Sequence, residues 1–185
     1  MKLSDREWGE FKIADILSNS INAKAYHSNS LVKTKLKGIA YITRTNLFNG
    51  LQCIVESNQN FKENPLNTIV FGAENATYFY QPFKYITGNK MYYYNTSKLS
   101  QEVNLFITCC LNLSLKGCGF GFGMGLTGTR SDSRKFLLPI NDNGEPDYKF
   151  MGEYIKEMIN KKRQKYIEYV KDKMKSLKVV GGGNH

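Results

Sequence analysis

Lys149-Phe150-Met151-Gly152-Glu153-Tyr154-Ile155-Lys156-Glu157-Met158 begins the segment whose spacing decides the architecture. From here to Lys178, Met151, Ile155, Met158, Lys162, Tyr166, Tyr169, Val170, Met174 and Leu177 recur mostly three or four residues apart. That is the period of an α-helix. A single helix over residues 149–178 would be about 45 Å long. Its apolar stripe is thin and its remaining faces are charged, which suits a coiled-coil seam better than a core helix. Amphipathic helices of this kind gain their stability from packing, so the stripe predicts a partner. That partner would be a second copy, giving a homodimer, or another chain with a matching seam. The sequence therefore divides into a body, residues 1–148, a dimerisation or spacer helix, residues 149–180, and a flexible glycine-rich tail, residues 181–185.

The body reads as strand-rich. Trp8 to Lys12 is a short extended lead into one helical turn, with Phe11, Ile13, Ile16 and Leu17 inward. Ser18 to Ser30 is polar and loop-like. Gly38-Ile39-Ala40-Tyr41-Ile42-Thr43 is a strand after a glycine, and Asn49-Gly50 is a turn leading into the strand Leu51–Val55. Thr68–Gly72 is a buried-strand candidate; Ala76–Tyr80, Phe83–Thr87 and Lys90–Tyr94 follow as further strands. Gln101 to Leu115 changes to a helical pattern, with Val103, Phe106, Ile107, Cys110, Leu111 and Leu113 on one buried face. Asn141 to Asp147 is a loop. The expected fold class is α+β: a mixed, strand-rich globular domain followed by one long C-terminal helix.

Composition narrows the function classes. Apolar residues make up 41% and aromatics 13%, so the chain folds rather than solvates. The formal net charge is +10, and residues 149–185 hold ten basic against four acidic side chains, more than half of that excess. Such a balance fits a polyanionic partner, or a compositional excess of lysine. No apolar run approaches a membrane span, and the first residues lack a signal core. Cys53, Cys109, Cys110 and Cys118 form no CxxC pair, and His27 and His185 are the only histidines, so no zinc site or other metal is expected. Unpaired thiols in apolar surroundings fit a reducing cytoplasm.

A reaction centre is not expected. Gly117, Gly119, Gly121, Gly123 and Gly125 alternate, but they follow a helix and lack the strand, the acidic partner and the lysine of a nucleotide loop. No cofactor follows from them. A bulged segment that lets backbone approach DNA is the preferred reading, beside a glycine-rich loop with no ligand. Asn64-Pro65-Leu66-Asn67 is not an amino-methyltransferase motif, and Asp132, Asp142 and Asp147 lack the companions of a nuclease metal site.

Recognition chemistry is better supplied. Thr43, Arg44, Thr45 and Asn46 follow a strand; Arg meets guanine edges bidentately and Asn meets adenine. Lys33, Lys35 and Lys37 alternate before that strand and suit phosphates. Thr127, Thr129, Arg130, Ser131, Arg134 and Lys135 form a second donor-rich stretch. Either cluster alone reads equally as a solvated loop. Together, beside a body without a reaction centre, they favour double-stranded DNA. A stand-alone DNA-modifying or DNA-cleaving enzyme, or a protein-interaction domain with a basic helix, are the alternatives.

The order of these features resembles the target-recognition domain of type I restriction–modification specificity subunits, and of related type IIB-like subunits. Trp8-Gly9-Glu10-Phe11-Lys12-Ile13-Ala14-Asp15-Ile16-Leu17 is similar to the family's Trp-x-x-Phe-x-Ile-x-Asp-Ile-Phe opening. Gly38 to Thr45 is similar to Gly-x-Ile-Pro-Tyr-Ile-Thr-x-Thr, with Ala40 for proline, and Asn49-Gly50 sits where Asn-Asn-Gly is common. Phe71-Gly72 with Ala76 to Gln81 resembles Gly-x-x-Gly-x-x-Phe-Tyr-Gln without its second glycine. Leu138-Pro139-Ile140 through Met151 resembles the closing Leu-Pro…Gly-x-Pro-Asp-Trp-x-Phe-Met, with Tyr148 for Trp. The resemblance implies a non-catalytic module that reads one half of a bipartite DNA target and docks modification methyltransferase and restriction subunits. A full subunit has two such domains and two helices; this chain has one of each.

Overall fold

The computed structural model describes residues 1–121 and 123–180, with side chains of the last helix described as far as Lys175. The expected tail, residues 181–185, and the Leu177 side chain lie outside the described residues, as does Phe122 in the glycine run.

The elements run β1 (Trp8–Lys12), α1 (Ile13–Leu17), β2 (Ile21–Asn22), β3 (Ile39–Ile42), β4 (Leu51–Val55), β5 (Thr68–Gly72), β6 (Tyr78–Gln81), β7 (Tyr85–Thr87), β8 (Met91–Asn95), α2 (Gln101–Ser114), α3 (Gly128–Asp132), β9 (Lys135–Pro139) and α4 (Tyr148–Val180). The expected α+β class with a long terminal helix is the architecture observed. The strand expected at Ala76–Tyr80 begins at Tyr78, because Ala76 turns the chain with a φ of 44°. Within the stretch read as loop, Ile21 and Asn22 pair with Tyr93 and Tyr92.

β5 explains the layering. All five of its residues are buried, as expected of an apolar β-branched run covered on both faces. Ile69 and Phe71 point to the main core with Tyr78, Tyr94 and the α2 residues Val103, Phe106, Ile107, Cys110 and Leu111. Val70 points the other way, to Ile42, Tyr85 and Met91. The antiparallel sheet β2-β8-β5-β6 thus lies between helix α2 and a second sheet, β4-β3-β7, in which β3 runs antiparallel to β4 and parallel to β7. Helix α2 is capped by the Ser100 hydroxyl, which accepts from the Val103 amide at 3.3 Å. Leu113, expected on its buried face, is exposed instead, while Leu111 and Leu115 on either side of it face the core.

β1 and β9 form a separate antiparallel ribbon, Trp8 opposite Pro139 and Lys12 opposite Lys135. The two motifs at the ends of the body are therefore partners in space. The Ile140 amide donates to the Glu7 carbonyl at 2.9 Å, and Arg6 Nε donates to Asp147 Oδ2 at 2.9 Å. Asp147 Oδ1 accepts from the Phe150 amide at 2.9 Å, so Asp147 caps α4 and ties it to the body.

At 33 residues, helix α4 is about 50 Å long. Only its beginning is docked: Phe150 and Met151 are fully buried, and Tyr154 and Ile155 pack against α2 and the ribbon's core. This corrects the expected seam. Met151 and Ile155 belong to the body's own core and are not free for a partner. Met158, Tyr166, Tyr169 and Met174 remain exposed, Lys162 is exposed, and Val170 is half-buried. No helix among the described residues is long and apolar enough to cross a membrane.

Candidate nucleic-acid interface

Beyond β3 the chain does not turn directly into β4. It runs over the free edge of β6. Asn46 Oδ1 accepts from Thr77 Oγ1 at 2.9 Å and from Asn75 Nδ2 at 2.8 Å, at the start of β6. Asn49 Nδ2 donates to the Tyr80 carbonyl at 2.9 Å, and Gln81 Nε2 returns a bond to the Asn49 carbonyl at 2.8 Å. Side-chain amides thus stand in for the missing neighbour strand. The loop turns back through left-handed Asn49 and Gly50, with φ of 57° and 79°, as the Asn-Gly pair predicts. Leu47 and Phe48 stand at its tip in solvent.

Arg44 lies across the end of β5 and pairs with Glu74 in the β5–β6 turn. Gly72 leaves the room: a Cβ there would stand 2.6 Å from Arg44 Cγ. Glu74 also takes a hydrogen bond from Lys90 Nζ at 2.9 Å. Lys90 first, then Arg44, hold the Glu74 carboxyl below the usual carboxylate range. A polar cleft of about 310 Å³ opens beside Arg44, lined also by Tyr26, His27, Ser28, Thr43, Gln52 and Asn89. Thr43 is half-buried in it, while the Thr45 hydroxyl accepts from the Leu47 amide at 3.2 Å and braces the loop.

The second donor-rich stretch reaches the same turn from the other side. The Leu126 amide donates to the Ala73 carbonyl at 2.6 Å. Thr127 caps α3, and Arg130 Nη1 donates to the Gly125 carbonyl at 2.8 Å, leaving Thr129 and Arg130 at the surface. The turn Ala73–Thr77 is therefore a hub on which the segments around Arg44 and around Gly125–Arg130 converge.

Other expected site residues do something else. Ser131 is fully buried, and its hydroxyl shares hydrogen bonds with the Tyr78 and Tyr94 hydroxyls at 2.6 and 2.5 Å. It has no surface to offer DNA; it bolts α3 to the central sheet. Burial pushes the Tyr78 hydroxyl up to about 12, so it stays protonated. Arg134 is half-buried, donates to the Ser114 carbonyl at 2.6 Å and lies over the Phe120 ring, closing the end of α2 and holding the glycine run. Lys135 pairs with Glu10 across the ribbon at 2.7 Å. Lys33, Lys35 and Lys37 are exposed, but their loop runs beside Val55 and Ile54 at the opposite end of β3 from Arg44. One strand of this length separates the two groups by about 13 Å.

Glu74, Asn75, Thr77 and Lys90 were not singled out by sequence. The local signal was a short polar turn between two strands; what makes it a site is that two distant loops fold onto it.

Comparisons with known proteins bear on the family and the fold. Residues 5–169 match the family model for the type I restriction modification DNA specificity domain. The chain is 25% identical over 162 residues to the specificity subunit S.BcgI of a type II restriction enzyme from Heyndrickxia coagulans, covering 86% of this chain and 46% of that protein. Its fold is similar to the S subunit of the type-I restriction-modification system from M. genitalium, with a TM-score of 0.56, 14% identity, and 96% and 44% of the two chains covered. It is also similar to the HsdS subunit from Thermoanaerobacter tengcongensis, with a TM-score of 0.54, 10% identity, and 83% and 38% covered. The chain spans about half the length of the relatives it matches. It belongs to the type I restriction–modification DNA specificity domain family.

Proposed function

We propose that this chain is a sequence-specific DNA-recognition module of a restriction–modification system, reading one half of a bipartite duplex target. The observation that carries the reading is the convergence of Arg44–Asn46 and Gly125–Arg130 on the turn Ala73–Thr77, on a family fold. That surface offers an arginine, amides and hydroxyls on braced backbone, the groups suited to base edges. Thr129, Arg130 and the lysines at 33, 35 and 37 supply phosphate contacts that set register.

Catalysis resides in partner chains: a modification methyltransferase subunit, and a restriction subunit where one exists. The distal stripe of α4, from Met158 onward, pairs with a second copy or with another specificity half. A two-fold pair would read a symmetric bipartite site.

Binding to random-sequence and selected duplexes through a salt series tests the reading. The expected result is a steep loss of non-specific binding with salt and a sequence preference that survives it. No binding at low salt would refute it in favour of a protein-interaction domain, and turnover of DNA by the pure chain would refute it in favour of an enzyme.

A further inference from the structure

Glu74 is out of place on a surface that meets phosphates. It sits in the turn where the recognition loops converge, and it pairs with two cations from different strands, Arg44 after β3 and Lys90 before β8. The group is only partly buried: Arg44 Nη1 is out of solvent, but Arg44 and Glu74 each keep a third of their side-chain surface in solvent and Lys90 keeps 62%, so solvent screens the pairs. Yet Arg44 is held in one direction, along the slot that Gly72 leaves open. A carboxylate here also repels DNA phosphates.

We infer that Glu74 is a specificity-determining residue: it occupies Arg44 and Lys90 on non-target DNA and yields Arg44 only where base edges replace it. This rests on the DNA-recognition reading above. On random duplex, the two closed pairs keep both cations from counting as phosphate contacts. On the target, the Arg44 guanidinium exchanges one exposed carboxylate for a bidentate base contact. That exchange is favourable because exposed ion pairs are weak and a well-aligned bidentate contact is stronger. Glu74 thereby lowers affinity everywhere except at the cognate sequence, the repulsive half of a specificity device.

The test is anisotropy of a labelled random-sequence duplex through a salt series, using the full chain. Wild type is compared with Glu74→Gln and with Glu157→Gln, which removes the same charge on α4, where it pairs with Lys161 and the N-terminus. Glu74→Gln is expected to bind random duplex roughly tenfold tighter, with a salt dependence steeper by up to two contacts. Its preference for a sequence selected with wild type should fall. Glu74→Asp, charged but shorter, should lie between, and Glu157→Gln should stay within about twofold of wild type. Unchanged or weaker random binding by Glu74→Gln overturns the inference. So does equal tightening by Glu157→Gln, since the effect would then be net charge alone. Wild type that binds no duplex at low salt overturns the DNA reading itself, and this inference with it.

Discussion

Replacing Asp147 with alanine should unfasten helix α4 from the body. Two interactions are lost together. The carboxylate caps the helix through the Phe150 amide, a contact worth about 1 kcal/mol. It also receives Arg6 Nε, whose guanidinium lies 5.0 Å from the centre of the Phe150 ring. Arg6 is 42% exposed, so solvent screens that pair and it adds little. The cap alone, about 1 kcal/mol, lowers Tm by roughly 2–4 °C for a chain of this size. Asn is as good a cap as Asp, so Asp147→Asn should lose only the small charged part. In an Arg6→Ala background, Asp147→Ala should cost only the cap, about 1 kcal/mol. Burial alone would raise the Asp147 carboxyl; the Phe150 amide and Arg6 outweigh it and hold it below the usual carboxylate range. Its contribution is therefore complete above the unfolded value, near 3.9, and is lost as pH falls through the lower folded value. The gap between wild type and Asp147→Asn should close below about pH 4. Denaturant melts of wild type, the two Asp147 variants, Arg6→Ala and the Arg6→Ala/Asp147→Ala double variant through this range measure all of it. A Asp147→Ala variant within about 0.3 kcal/mol of wild type, or an Asn variant as costly as the Ala one, would refute the capping argument.

Ala76 holds a φ of 44°, a region that costs non-glycine residues about 1–2 kcal/mol. Ala76→Gly should raise stability by about 0.5 kcal/mol after glycine's own entropy cost, and a drop in Tm would contradict the assigned turn. Ser131→Ala leaves the buried Tyr78 hydroxyl without the partner it now has at 2.6 Å, and should destabilise by about 1–2 kcal/mol in denaturant melts. A neutral effect would mean that α3 is not bolted there. Sedimentation at tens of micromolar should find wild type self-associated or pairing with a specificity half, and a Met158→Glu/Tyr169→Glu variant monomeric. Wild type that stays monomeric with either partner would remove the seam.

The architecture was legible where burial is written in local periodicity. The apolar run Thr68–Gly72, buried on both faces, and the spacing of Val103, Phe106, Ile107 and Leu111 give β5 and α2 directly. Periodicity alone could not separate Met151 from Met158. Both sit on one helical stripe, but the first lies in the body's core and the second in solvent. Composition misled at Ser131, where a hydroxyl in a basic, glycine-flanked stretch looked like a DNA donor. Its partners, Tyr78 and Tyr94, lie 53 and 37 residues away. The hub at Ala73–Thr77 was hidden for the same reason. Glu74 and Asn75 acquire a role only when the β3–β4 loop crosses the β6 edge and Leu126 closes on Ala73. The pairing of the end motifs was hidden too: Trp8–Lys12 and Lys135–Pro139 lie at opposite ends of the body in sequence, and only the fold makes them one ribbon.

If the surface around Ala73–Thr77 chooses the DNA sequence, the choice should move with the loop that crosses it. Methylome sequencing of cells expressing this chain with a modification methyltransferase subunit reads this out, with residues 43–50 as found and with that loop exchanged for a relative's. A bipartite methylated motif is expected whose one half changes with the loop while the spacing stays fixed. A motif left unchanged by the exchange would contradict it.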